Sequence, residues 1–214
     1  FCAEVNMLVP HVKPAVLSKD LHGAFKRSIL TKYFNQNYYW TGSGSSAIYL
    51  AIKAISAKNV AVPAFTCSIV EDAVRKSGAK IQFYDTGIIT TLTDIRKAIS
   101  KKPDLLILSY NFGLIPDNLK KILSECRKNK IIVLEDCAHA FSFGQNANIT
   151  IYSAGIAKSL SYYGGFLLSK KKLTIEKFDS LSTKKELMFF VKAILSKLFF
   201  NKYIYSFLNI MIIN

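Results

Sequence analysis

The sequence predicts an α/β fold, a mostly parallel sheet between two layers of helices. Three observations carry this. Apolar periodicity switches repeatedly between the strand and helix kinds along the chain. The strand-like runs at residues 60–62, 105–108 and 131–134 are continuously apolar, as strands covered on both faces are. Half of the 214 residues are hydrophobic and a fifth charged, with only 10 Gly and 5 Pro, which excludes a disordered or collagen-like chain and allows one to two domains with a sizeable core.

The elements follow in order. Residues 19–34 read as an early helical stretch, and 45–57 as a helix with Ile48, Ile52 and Ile55 on one face. Residues 60–62 form a short strand ending at Pro63, and 66–76 are helical. Residues 80–84 are a strand and 92–100 a helix, with Thr91 or Thr93 as its cap. A buried strand at 105–108 precedes a helix at 116–127 that has proline in its first turn, and another buried strand occupies 131–134. A tight turn at Tyr162, Tyr163, Gly164 and Gly165 leads into a strand at 166–169. Residues 1–180 are expected to form one domain and 181–214 an apolar helical tail. Lys192, Lys197 and Lys202 interrupt that tail and, at about 100° per residue, point to three sides, unlike the single basic face of a membrane-surface helix. Packing against further protein is the favoured reading of the tail, with membrane contact and disorder as alternatives.

The formal net charge of +15 admits nucleic acid, anionic lipid or a phosphorylated small molecule as partner. The lysines are scattered, the longest run being Lys170, Lys171 and Lys172, so they read as ordinary solvated faces and no nucleic-acid partner is expected. Cys2, Cys67, Cys126 and Cys137 have neither the spacing of a zinc site nor that of a disulfide framework, which fits a reducing, cytoplasmic setting. Glu4, His11 and Lys13 stand where a secretory leader would be apolar, and Met7 is a candidate initiator behind Phe1.

In parallel sheets, ligands gather past the C-terminal ends of the strands. Four places there carry candidate chemistry. Thr41 to Ala47 is a run of small residues before a helix, suited to a phosphate or simply to a helix cap. Glu135 and Asp136 form an acidic pair after an apolar strand, with His139 on the same side of a helical turn as Asp136; a carboxylate there needs a partner, whereas the histidine could be satisfied by backbone. Ser153 is followed by Lys158, whose small and apolar neighbours would make its amine more nucleophilic by desolvation, although a surface lysine is the ordinary alternative. The turn at Gly164 and Gly165 is the fourth.

In this order the chain resembles the sugar aminotransferases of the DegT/DnrJ type, fold-type-I pyridoxal phosphate enzymes, over roughly residues 8–170. Val62 Pro63 Ala64 Phe65 Thr66 and Phe112 Gly113 belong to the resemblance. It implies a three-layer α/β/α large domain and pyridoxal 5'-phosphate as cofactor. Lys158 would be joined to the cofactor aldehyde and later carry the proton between carbons. Asp136 would pair with the pyridine nitrogen, and His139 would contact the ring face or phenolic oxygen where the family usually has Gln. Backbone groups of Ser45 and Ser46, with the Ser153 hydroxyl, would hold the phosphate. The implied partners are an amino-acid donor, glutamate being expected, a nucleotide-linked keto-sugar acceptor and a second copy of the chain.

The chain departs from the family's pattern in places. Cys67 stands where an aromatic ring usually stacks on the cofactor, Tyr110 where His is common, and the turn before Gly164 lacks its usual acid. The family's small C-terminal domain is expected to have no counterpart after about residue 180. Three functions follow as expectations: amino transfer to a nucleotide sugar, a truncated or degenerate homologue that binds cofactor or partner without turnover, or a membrane-associated binding protein that uses the apolar, lysine-containing tail.

Overall fold

Seven strands form one sheet in the order β1-β7-β6-β5-β4-β2-β3. The computed structural model describes residues 36–140, 146–154, 164–175, 191 and 195. In chain order these give β1 (Asn37–Thr41), α1 (Gly44–Ile55), β2 (Asn59–Pro63), α2 (Ser68–Lys76), β3 (Lys80–Tyr84), α3 (Leu92–Ser100), β4 (Leu105–Ser109), α4 (Leu119–Lys128), β5 (Ile132–Asp136), β6 (Ile149–Ala154) and β7 (Gly164–Ser169). Neighbours from β3 through β6 pair in parallel, while β7 runs antiparallel to both β6 and β1. The early helical stretch and most of the tail lie outside the described residues; Val191 and Leu195 are helical and exposed. Among the described residues, no helix is long and apolar enough to cross a membrane.

Alternation along each strand sends successive side chains to opposite faces and so builds two cores. On one face, Val62, Ile107, Leu134, Ile151 and Leu167 pack against Ala47, Ile48 and Ile52 of α1 and Val70 and Val74 of α2. On the other, Ala61, Leu108, Val133, Tyr152 and Leu168 pack with Ile95 and Ile99 of α3 and Ile122 and Cys126 of α4. The result is the three-layer arrangement expected from the sequence. Each such aliphatic side chain contributes about 1.5–3 kcal/mol by burial.

Local chemistry sets the element ends. Thr91 caps α3 in a full capping box with Asp94, which decides between the two candidate threonines. Helix α4 begins at Leu119, not at Pro116: the Leu119 N–H bonds the Pro116 carbonyl in a turn, and Asn118 becomes the capping position. Helix α2 likewise starts only at Ser68, after Cys67 in extended conformation. Strand β5 runs on to Asp136, and Gly164 and Gly165 lie within β7 itself. Strand β1 is not anticipated by the periodicity. Bases sit in the last turn of each of these four helices, Lys53, Arg75 with Lys76, Lys97, and Arg127 with Lys128, where they oppose the negative dipole end.

Asp104 ties the opposite edge of the sheet: one carboxylate oxygen accepts the Lys58 and Asn59 N–H groups, each at 2.8 Å. These bonds favour the ionised form and hold its carboxyl below the usual range. A depressed folded-state value means that the stabilisation is complete above the ordinary carboxylate range and lost as pH falls through the folded value. Asp104→Ala should therefore cost about 1 kcal/mol at pH 7, a modest figure because the site is exposed. Urea unfolding of both proteins at pH 7 and pH 3 should show that gap closing at the lower pH.

Candidate active site

The parallel strands end at one edge of the sheet, and β7 starts there. Ser109, Asp136 and Ser153 follow Ile107, Leu134 and Ile151 by two residues, so the pleat directs all three to the α1 face. Ser109 and Asp136 are register partners. Asp136 is only 7% exposed; its Oδ1 accepts the Ala138 N–H at 3.1 Å, and its carbonyl accepts the Tyr110 N–H at 3.1 Å. The Ser109 hydroxyl lies 3.2 Å from that of Thr66, and the Asn111 side-chain amide donates to the Phe65 carbonyl at 3.0 Å, which joins the loops after β4 and β2.

Ser45 and Ser46 open α1 at the same edge. Ser43 is the N-cap: its Oγ accepts the Ser46 N–H at 3.1 Å and lies 2.8 Å from Ser45 Oγ and 2.9 Å from Ser46 Oγ. Two glycines let this helix start press onto the sheet. A Cβ on Gly44 would stand 2.8 Å from Ser153 Cβ, and one on Gly165 would stand 2.6 Å from the Ser43 carbonyl carbon and 2.7 Å from the Gly44 nitrogen. No acid occupies the first turn, so the positive end of the helix dipole meets no carboxylate of its own. Hydroxyls, helix-start amides and a positive dipole make a donor set for a phosphate.

His139 is placed differently from expectation. Asp136 is the last residue of β5, held in the ladder between β4 and β6, so it does not share a helical turn with His139. Residues 137–140 form a turn closed by the Ala140 N–H on the Cys137 carbonyl. The exposed His139 ring lies 6.3 Å from that of Phe112, and a Cβ on Gly113 would stand 3.2 Å from the His139 carbonyl oxygen. Ser45, Ser46, Asp136, His139 and Ser153 thus share one edge. Lys158, Tyr162 and Tyr163 lie outside the described residues, although Ala154 and Gly164, which flank them, are register partners at this edge.

Glu135, the other half of the acidic pair, faces the opposite way. It is fully buried and accepts from the Tyr110 hydroxyl at 2.5 Å, the Thr150 hydroxyl at 3.0 Å, and the Asn146 and Ala147 N–H groups at 3.0 and 3.1 Å. Burial, with the Glu135 charge adding, pushes the Tyr110 phenol far above its usual range, so it stays a donor. Burial and the neighbouring carboxylates likewise keep Cys137 a thiol, and burial pushes Cys126 up to about 11. Cys67 is exposed at the rim.

The profile of the DegT/DnrJ/EryC1/StrS aminotransferase family matches residues 21–176. The chain belongs to this family. Among relatives of this DegT/DnrJ-type chain, GDP-perosamine synthase of Escherichia coli O157:H7 is 27% identical over 56% of the chain and 35% of its own length. A UDP-N-acetyl-3-dehydro-alpha-D-glucosamine 3-aminotransferase of Acidithiobacillus ferrooxidans is 32% identical over 46% of the chain and 28% of its own length. The chain therefore spans about a third of the curated relatives it matches. The PLP form of Spr1654 from Streptococcus pneumoniae, described as a sugar aminotransferase, superposes with a TM-score of 0.64 at 17% identity, over 86% of the chain and 57% of that protein. That likeness speaks for the fold.

Gly165→Ala should cost about 2 kcal/mol or more, because its Cβ meets backbone that has no room to yield. Gly87→Ala, with nothing within 4 Å, should stay within about 0.5 kcal/mol of the parent. Thermal unfolding of the two variants checks the contrast.

Proposed function

We propose that the chain carries the cofactor-binding part of a pyridoxal phosphate-dependent aminotransferase. In this reading residues 1–180 are the cofactor domain, the amino donor is an amino acid, glutamate, and the acceptor is a nucleotide-linked keto sugar. The observation that carries it is the juxtaposition of Asp136, Ser153 and the start of α1 at one edge, in a member of a sugar aminotransferase family. Lys158 follows Ala154 by four residues in the sequence.

The donor set fits the cofactor. A buried carboxylate at a strand end suits a protonated ring nitrogen, and the hydroxyl-rich helix start with no acid in its first turn suits a phosphate dianion. When bound, pyridoxal phosphate supplies an aldehyde that takes up an amino group and a ring that accepts electrons from the donor's α-carbon. Asp136 holds the proton on the ring nitrogen. Ser45, Ser46 and Ser153 would hold the phosphate; the Ser46 N–H, expected among the backbone donors, is instead committed to Ser43 Oγ, so its hydroxyl is the group it offers. His139 would contact the ring face or the phenolic oxygen. The Lys158 amine would be joined to the cofactor aldehyde and, once freed by the donor, would serve as general base and acid, carrying the proton from the donor's α-carbon to the cofactor carbon. A second copy of the chain is the expected assembly partner.

Cys67, with no ring to stack, favours a second reading, a homologue that binds the cofactor without turnover. Incubation with pyridoxal phosphate should give a visible absorption band. Borohydride reduction followed by peptide mapping should label Lys158; label scattered over other lysines would overturn the assignment. Glutamate should shift the band, and an unchanged spectrum would favour the second reading. Asp136→Asn should weaken cofactor binding and abolish the glutamate-driven shift. Cys67→Tyr should tighten cofactor binding about threefold to tenfold by restoring a stacked ring, as measured by titration.

A further inference from the structure

Glu135 is costly where it stands. A leucine would fill a similar volume in the core behind β5 without the desolvation of a carboxylate. Instead the charge is met by four donors drawn from two parts of the chain, Tyr110 after β4 and residues 146, 147 and 150 at the start of β6. Tyr110 holds β5 twice: its hydroxyl bonds the Glu135 carboxylate and its N–H bonds the Asp136 carbonyl. The next N–H along β5, that of Cys137, bonds the Ile151 carbonyl at 2.9 Å. Tyr110 also leads into the turn Asn111–Gly113, which packs against His139.

We propose that Glu135 and Tyr110 are positioning residues: from the far face of the sheet they fix the end of β5, and with it the carboxylate of Asp136 and the turn that bears His139. Resting on the reading above, this deepens the function of that edge. The pleat makes it work, since a residue that locks one face of a strand sets the neighbouring side chain on the other. The phenol stays protonated and so remains a donor to the carboxylate.

The test uses the full chain with three variants. Tyr110→Phe removes the hydroxyl and keeps the ring. Thr150→Val removes another donor from the same carboxylate and serves if the first variant does not fold. Glu135→Gln keeps an oxygen for three donors and turns an amide toward the tyrosine oxygen, so it should rescue the geometry without the charge. In Tyr110→Phe and in Thr150→Val, hydrogen exchange at the Tyr110 and Cys137 amides should quicken while amides in α3 keep their rates; this needs no cofactor. Titration with pyridoxal phosphate, at a temperature where each variant is fully folded, should show binding about fivefold to tenfold weaker in those two variants and within about threefold of the parent in Glu135→Gln. Uniform quickening of all amides with unchanged cofactor affinity would mean a merely structural role and overturn the proposal. If the parent chain takes up no pyridoxal phosphate, the functional reading fails, and the exchange comparison still decides whether Tyr110 and Glu135 hold the end of β5.

Discussion

A carboxylate can be taken out of water only where donors wait for it, and the interior around Glu135 is arranged to that condition. Its two oxygens gather hydroxyls and amides from beyond β4 and from the start of β6, so three adjacent strands are held by one charge as well as by their ladders. Ser109, Asp136 and Ser153 belong to these same three strands. The chemistry-bearing face therefore inherits its order from the face that bears none. Apolar packing supplies most of the cohesion on both sides, but it is tolerant of small slips, whereas this hydrogen-bonded centre is not.

At the other end of the site the constraint is steric. The start of α1 lies so close to β6 and β7 that Gly44 and Gly165 have no room for a side chain. The closeness brings the helix's first amides and the serine hydroxyls beside Ser153. The suitability of this edge for an anion rests on the helix start; six of the chain's 29 Lys and Arg stand in the last turns of the four described helices.

Much of this was legible before any coordinates. Continuous apolar strands and 3.6-residue periodicity located most of the described elements, because tertiary packing here agrees with local pattern. Strand β1 escaped because Asn37, Tyr38, Tyr39, Trp40 and Thr41 neither alternate cleanly nor form an aliphatic run, and its place depends on β7 far along the chain. Proline misled at residue 116, where it starts a turn and the helix waits for Leu119. The sequence marks the acidic pair, but its apolar run ends at Leu134 and so places Asp136 past the strand instead of at its end, which conceals both the lack of a helical relation to His139 and the opposite orientation of Glu135. The signal was present: adjacent residues of a strand cannot share a face. Tyr110 stood out in the sequence only as a departure from a familiar pattern, and its partner became visible through the register of β4 and β5.

The pairing of β1 with β7 also has a temporal meaning. Asn37 bonds Ser169 across a separation of 132 residues, and the Gly165 that shapes the start of α1 is made at nearly the same moment. During synthesis, the helix start suited to a phosphate exists for most of the chain's emergence with one side uncovered, while the central strands can already assemble from nearer partners. Such distant contacts slow folding and leave an open strand edge exposed meanwhile. This corner is consequently among the last parts of the described fold to acquire its shape, and any ligand that favoured it would act on the final step of maturation.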